Sequence, residues 1–277
     1  MPELPEVETY MRELAPRLRG RSVAGAHVTW PRPIAPPTAA EFATQFMGRR
    51  VDRFGRRGKY LLFFLDDGSS LIVHLRMTGK LQVSDGQSAP DQHTHVVLRL
   101  DDGSDLRYRD SRKFGRIWLV ADADAVLHRL GPEPLGDEFT AVGLGAQLAR
   151  RTASIKPVLL DQGLVAGIGN IYADEALFQA GIHPARPANG LATAEVARLH
   201  AAIRAVLTDA IRMQGSSLGG SSVQNYVRPG GEPGGFQEEH RVFQRTGQPC
   251  LVCGRAIERI VLGQRSTHFC PHCQAMG

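Results

Sequence analysis

All four cysteines of this chain sit near its C-terminal end, as Cys250-x2-Cys253 and Cys270-x2-Cys273 with sixteen residues between the pairs. Each Cys-x2-Cys turn can set two thiolates on one metal. Two such turns close a tetrahedral four-thiolate site, for which zinc is the usual ion. Disulfides are the alternative. No signal peptide and no apolar run long enough to cross a membrane is evident, which points to a reducing cytosol where structural disulfides are rare. His268 and His272 lie near the second turn and are expected to be bystanders. Ile257–Leu262 and Thr267–Phe269 read as short strands around a Gly263-Gln264-Arg265-Ser266 tip. Arg265 would then project from a metal-braced ribbon toward a phosphate.

The other end carries different chemistry, in Met1-Pro2-Glu3-Leu4-Pro5-Glu6-Val7-Glu8-Thr9. Pro2 is small enough that Met1 is expected to be trimmed. A free N-terminal proline is a secondary amine, and such amines attack aldehyde-like carbons to give iminium ions. An N-terminal amine titrates near neutrality, at about 7.7–8, so a usable fraction is unprotonated. Glu3, beside it, can carry protons. The plainer reading is that Pro2 and Pro5 only stiffen a helix start.

A net charge of +5 and a pI of about 9.3 suggest a polyanionic partner. The distribution says more than the total. Arg49, Arg50, Arg53, Arg56, Arg57 and Lys59 fall among eleven residues holding one acid, Asp52. Arg107, Arg109, Arg112, Lys113 and Arg116 cluster around Asp110. Charge runs are usually solvated faces, but two of them with a zinc ribbon favour nucleic acid. Only four of the 33 basic residues are lysines, which draws attention to Lys59 and Lys156.

From Val23 to Val120 the pattern is β. Tyr60–Leu65 and Leu71–Leu75 flank Asp66-Asp67-Gly68; His95–Leu100 and Asp105–Tyr108 flank Asp101-Asp102-Gly103. Evenly spaced strands of this kind suggest a β-sandwich, with a Pro5–Leu18 helix packed on it by Val7, Met11, Leu14 and Leu18. Gly131-Pro132-Glu133-Pro134 reads as a linker. Beyond it Val196, Leu199, Ile203, Val206, Leu207 and Ile211 make an apolar helical stripe. Gly167-Ile168-Gly169-Asn170 precedes another helix, with Asn170 expected as its N-cap and exposed amides there able to take an anion. A plain tight turn is the alternative. The Gly-, Ser- and Pro-rich stretch Gly215–Gly235 should be a mobile loop.

Taken in order, these segments resemble the bacterial formamidopyrimidine-DNA glycosylases over nearly the whole chain. The resemblance is carried by Pro2–Thr9, Arg57-Gly58-Lys59-Tyr60-Leu61-Leu62, His74-Leu75-Arg76-Met77-Thr78-Gly79 and Asp110-Ser111-Arg112-Lys113-Phe114-Gly115. It continues through Gly131–Leu135, Gly167–Tyr172 and the four-cysteine finger. It implies an α+β fold: an N-terminal β-sandwich with flanking helices over 2–131, a helix–two-turn–helix domain over 135–225 and a zinc-finger hairpin over 239–273. One structural zinc would sit on Cys250, Cys253, Cys270 and Cys273.

The resemblance further implies a monomeric, cytoplasmic, nucleoid-associated glycosylase and lyase. Its substrate would be double-stranded DNA containing oxidised bases or abasic sites. Pro2, Glu3, Lys59 and Arg265 would serve the catalytic steps. His74, Asn170 and Arg265 would hold phosphates, with Lys156 a further backbone contact. A lesion cannot be reached inside a duplex, so Met77, Arg112 and Phe114 would fill the space left by the flipped nucleotide, although core packing is the ordinary role of Met and Phe. Glu6, Ser216, Ser217 and Ser221 would lie at the extruded base. Gly235 and Phe243 stand near positions where the family commonly has tyrosine. An endonuclease VIII-like enzyme for oxidised pyrimidines is the neighbouring alternative. A non-catalytic DNA-binding zinc protein is the alternative of a different class.

Overall fold

The computed structural model describes residues 1–219 and 225–276. The chain forms two compact units, Met1–His128 with Gln214–Gly234, and Arg129–Met213 with Gly235–Gly277.

The first unit runs α1 (Leu4–Leu18), β1 (Val23–Val28), α2 (Ala39–Phe46), β2 (Val51–Arg57), β3 (Tyr60–Leu65) and β4 (Ser70–His74). It continues with β5 (Gly79–Ser84), β6 (Thr94–Leu100), β7 (Asp105–Asp110), β8 (Arg116–Val120) and a short α3 (Asp124–Leu127). The strands make two four-stranded antiparallel sheets, β1-β6-β7-β5 and β2-β3-β4-β8. Alternation in β3 sends Leu61, Phe63 and Leu65 into the core, and alternation in β6 sends Val96, Leu98 and Leu100 there. Helix α1 adds Val7, Tyr10, Leu14 and Leu18, a three- and four-residue spacing that makes one apolar face. Tyr10 is fully buried where the sequence suggested Met11, which is only partly covered. Helix α2 enters through Phe42 and Phe46. An eight-residue helix is marginal alone, but burying two phenylalanines at roughly 1.5–3 kcal/mol each is enough to dock it.

The segment Gln214–Gly234 belongs with this unit because α1 holds it. Tyr10 Oη donates to the Val227 carbonyl (3.0 Å), Arg228 Nε donates to Glu13 (2.6 Å), and the Tyr10 and Tyr226 rings meet edge to face at 5.9 Å. The expected mobile loop is therefore anchored on its described flanks.

The second unit holds α4 (Ala141–Leu148), α5 (Ile155–Leu159), α6 (Asn170–Ala180), α7 (Thr193–Arg212) and the hairpin β9 (Glu258–Leu262) with β10 (Arg265–Phe269). The α7 stripe buries Val196, Leu199, Ile203, Val206 and Leu207, while Ile211 is only half-covered. Gly181, at φ +69°, ends α6 in the left-handed cap that glycine favours. The expected linker is packed: a Cβ on Gly131 would lie 2.5 Å from the Gly163 carbonyl oxygen, and Gly131 N–H donates to Gln162 O. Among the described residues, no helix is long and apolar enough to cross a membrane.

Candidate active site

Pro2 and Glu3 are buried at the start of α1. The Glu3 amide donates to Glu6 Oε2 (2.7 Å), so Glu6 satisfies a donor that the helix start would leave open. The other Glu6 oxygen accepts the Ser216 amide (2.8 Å). Gly215, at φ +81°, lies so close that a Cβ there would be 2.6 Å from Glu6 Oε1. Both oxygens of Glu6 thus hold backbone, tying the Glu3 end of α1 to the loop at Ser216. Glu6 is also the residue expected at the extruded base. The Ser217 hydroxyl is also spent on its loop, donating to Tyr226 O (2.8 Å) and accepting from the Gly234 amide (3.0 Å). Ser216 is buried, and Ser221 lies outside the described residues.

Lys59 sits in the two-residue turn between β2 and β3, next to Gly58 at φ +54°, and is 6% exposed. The turn is tied back to α1 through Arg56. Its Nε donates to Glu8 Oε2 (2.8 Å) and its Nη1 to the Gly58 carbonyl (3.0 Å), while Arg12 takes the other Glu8 oxygen. Burial pushes the Glu8 carboxyl up, but the hydrogen bonds and charges of Arg56 and Arg12 hold it below its ordinary value. An anionic Glu8 therefore fixes the Lys59 turn to the helix that begins with Pro2 and Glu3.

His74 ends β4 opposite Tyr60, whose ring it meets edge to face at 4.6 Å. Burial first, then the charges of Arg76 and Lys59, push its imidazole down to about 3. The ring is neutral at physiological pH. Its Nδ1 accepts the Arg76 amide (3.0 Å), which assigns the proton to Nε2 and makes that nitrogen a donor. Met77 (38% exposed) and Phe114 (46%) are not core residues despite their apolar character. Arg112 is exposed, its guanidinium 5.0 Å from the centre of the Phe114 ring.

In the second unit the four cysteine sulfurs lie within 4.8 Å of one another, with Cys250–Cys273 at 3.9 Å and Cys253–Cys270 at 3.4 Å. Four thiolates at about 2.3 Å from zinc make a tetrahedron with edges of about 3.8 Å, so the set fits zinc. None of the four cysteines is in a disulfide. The ribbon tip is shorter than anticipated. Gly263 (φ +52°) and Gln264 (φ +62°) alone make the turn, and Arg265 is the first residue of β10, paired with Leu262 and exposed. Two left-handed turn residues match the right-handed twist of a hairpin.

Lys156 does not reach solvent. It is 0% exposed, and its ammonium donates to Ser266 O (2.7 Å) and Thr267 Oγ1 (3.0 Å) and pairs with Asp174 Oδ1 (2.7 Å). The other Asp174 oxygen accepts the His268 amide (3.0 Å). Asn170 is the first residue of α6, with Gly169 as its N-cap, and its Nδ2 donates to the same Ser266 carbonyl (3.0 Å). Lys156 and Asn170 therefore grip one carbonyl, adjacent to Arg265. The sequence reading has no role for Glu8, Asp110 or Asp174. Asp174 left a signal it shares with Glu175: an acid within the run Ile171–Phe178 needs buried donors, which Lys156 supplies to Asp174 and the amides of Arg241, Val242 and Phe243 supply to Glu175.

Residues 1–117 match the formamidopyrimidine-DNA glycosylase N-terminal domain, residues 130–222 the formamidopyrimidine-DNA glycosylase H2TH domain, and residues 247–275 the zinc finger found in FPG and IleRS. A formamidopyrimidine-DNA glycosylase of Chloroflexus aggregans is 51% identical over 280 residues, covering 100% of this chain and 99% of the relative. The chain belongs to the formamidopyrimidine-DNA glycosylase family. Its structure is similar to that of the MutM (FPG) protein of Thermus thermophilus, at 43% identity, a TM-score of 0.89 and full coverage of both chains. It is also similar to a Lactococcus lactis FPG mutant in complex with Fapy-dG-containing DNA, at 37% identity and a TM-score of 0.91, covering 99% of this chain and 100% of the other. In this member of the family the expected architecture is present: an N-terminal sheet unit, the H2TH helices and a C-terminal zinc-finger hairpin.

Proposed function

We propose that this member of the family is a bifunctional glycosylase and lyase that removes oxidised purines, 8-oxoguanine and formamidopyrimidines, from duplex DNA in the bacterial cytoplasm. The observation that carries the reading is the pairing of Pro2 with Glu3 at the start of α1, where Glu6 fixes the Glu3 backbone. With Met1 removed, the Pro2 nitrogen lone pair attacks C1′ of the damaged nucleotide. The C1′–base bond breaks and the base leaves with its electron pair and a proton. Opening of the C1′–O4′ bond gives an iminium, with O4′ taking a proton. Loss of a C2′ proton expels the 3′ phosphate (β-elimination), and a second elimination releases the 5′ phosphate. Glu3 carries the protons of these steps.

Lys59 and His74 on the first unit, and Asn170 and Arg265 on the second, bind phosphates. His74 does so as a neutral donor through Nε2. Lys156 acts through Arg265, holding β10 from beneath. Zinc, on four thiolates, serves the ribbon's structure, since a closed four-thiolate set has no open position for water. Met77 and Phe114 fill the vacated space. Arg112 reads the orphaned base: a guanidinium offers only donors, which suits O2 and N3 of cytosine better than an adenine edge.

Borohydride trapping on an 8-oxoguanine duplex tests the reading. The expected result is a covalent adduct whose peptide maps to Pro2, and no adduct when an extra residue precedes Pro2 and turns the amine into an amide. An adduct on Lys59, or a preference for oxidised pyrimidines, overturns it.

A further inference from the structure

Two loops of the first unit are built alike. One joins β4 to β5 and carries Met77; the other joins β7 to β8 and carries Arg112 and Phe114. In each, the exposed apolar residue follows a residue other than glycine in the left-handed region, Arg76 at φ +55° and Lys113 at φ +60°. Each closes on a glycine with no room for a side chain. A Cβ at Gly79 would lie 2.4 Å from the Leu75 carbonyl oxygen, and one at Gly115 would lie 1.7 Å from Tyr108 Oη.

The two loops share one anchor. Asp110 is fully buried. Its Oδ1 accepts the Thr78 hydroxyl and the Arg112 amide (3.2 Å), and its Oδ2 accepts Tyr108 Oη (3.0 Å) and the Gly115 amide (2.8 Å). An ionised carboxylate offers about four acceptor positions, and donors stand at all of them. Thr78, 6% exposed, closes the circuit: while donating to Asp110 it accepts the Arg112 amide (3.1 Å) on the same oxygen. The residue after Met77 thus holds the backbone of Arg112. The two tips are joined by the buried Thr78–Asp110 bond and the half-buried Arg112–Thr78 bond.

We propose that Thr78 and Asp110 are positioning residues that lock the Met77 loop and the Arg112–Phe114 loop into one rigid element, and through it set discrimination of the base opposite the lesion. This rests on the role given above to Arg112. Thr78→Val keeps the side-chain shape and removes the hydroxyl; Thr78→Ser keeps the hydroxyl. Two measurements apply: amide exchange at Arg112 in the free protein for both Thr78 variants, and, for these and for Arg112→Ala, the ratio of kcat/KM for 8-oxoguanine opposite cytosine to that opposite adenine.

Thr78→Val should speed Arg112 exchange roughly fivefold, the loss of one hydrogen bond. It should also lower the cytosine-to-adenine ratio by about threefold to tenfold, within what one base mismatch is worth. Thr78→Ser should restore both, and borohydride trapping on abasic DNA should be unchanged in Thr78→Val. Wild-type exchange in Thr78→Val overturns the coupling. Faster exchange with an unchanged ratio, where Arg112→Ala lowers that ratio, overturns the positioning role. If Arg112→Ala itself leaves the ratio unchanged, the role given to Arg112 is wrong, and the coupling of the loops stands or falls on the exchange rates alone.

Discussion

Arg265 and Arg112 are both exposed arginines on short projections, and the molecule supports them by opposite means. Arg265 begins β10 of a ribbon closed by four cysteines and braced from below by Lys156 and Asp174, each 0% exposed. Arg112 stands on a loop held by the single carboxylate of Asp110 and the hydroxyl of Thr78. The first support places opposite charges in the interior. Their desolvation is compensated chiefly while both are present, so removing either leaves a buried charge without its opposite. The second spreads one charge over four donors, and it weakens by one hydrogen bond at a time. An all-or-none brace and a graded one should fail differently.

The largest effect should come from the metal. A structural zinc site contributes on the order of 10–16 kcal/mol at neutral pH, so strong chelation, or Cys250→Ser, should release about one zinc and abolish DNA binding. Both tryptophans, Trp30 and Trp118, lie in the first unit, so intrinsic fluorescence should stay unchanged while binding disappears. A shifted emission would mean that the two supports are not independent. Arg265→Ala is the matching control, with zinc retained and the salt dependence of binding reduced by roughly one phosphate contact.

Lys156→Ala should cost about 3–5 kcal/mol in urea unfolding, as expected for stranding Asp174. A lysine whose role was an exposed phosphate contact would cost within about 0.5 kcal/mol, so stability alone separates the two assignments. Lys156→Met with Asp174→Leu should recover much of the loss. Asp110→Asn should cost less, about 1–3 kcal/mol. Whichever way the new amide lies, its NH2 group faces a backbone N–H, of Arg112 or of Gly115. If Asp110→Asn proves the more damaging of the two in thermal or urea unfolding, the comparison is inverted.

The smallest effect concerns His74, between pH 8 and 5.5. Its folded pKa, about 3, lies below the ordinary value of 6.5. The neutral ring therefore contributes stability that is fully present above pH 6.5 and is lost as pH falls from there through about 3. Over the upper window its donor stays uncharged, so the difference in DNA affinity between wild type and His74→Gln should be flat from pH 8 to 5.5. A difference that grows on acidification would show a protonating imidazole instead.

Much of this was legible in the residues. The alternation of β3 and β6, the stripe of α7 and the cysteine spacing follow from short-range periodicity, and the fold reproduces them. What the sequence hid are partners supplied from far along the chain. Lys156 draws attention because lysine is scarce, and scarcity suggests a phosphate; its true neighbours, Ser266 and Thr267, are more than a hundred residues away. Asp110 reads as a stray acid in a basic cluster, because Thr78, 32 residues earlier, is what makes it a hub. Glu6 holds the Ser216 amide, 210 residues on, a partner that its own stretch of sequence does not announce. Asn170 was placed as a cap on its residue type, but Gly169 caps α6 and frees the Asn170 amide for the ribbon.

The exposure of Met77 has a further consequence. Met77 is 38% exposed and so within reach of peroxide, and its sulfoxide is polar and chiral where the proposed wedge must be apolar. The oxidants that create 8-oxoguanine would thus also act on the side chain proposed to hold the duplex open around it. Such damage would leave the Pro2 amine intact, so an oxidised population should still cleave abasic sites while losing its grip on intact lesions. Recovery of that lost step by a methionine sulfoxide reductase would tie the cell's protein repair to its DNA repair through a single sulfur atom.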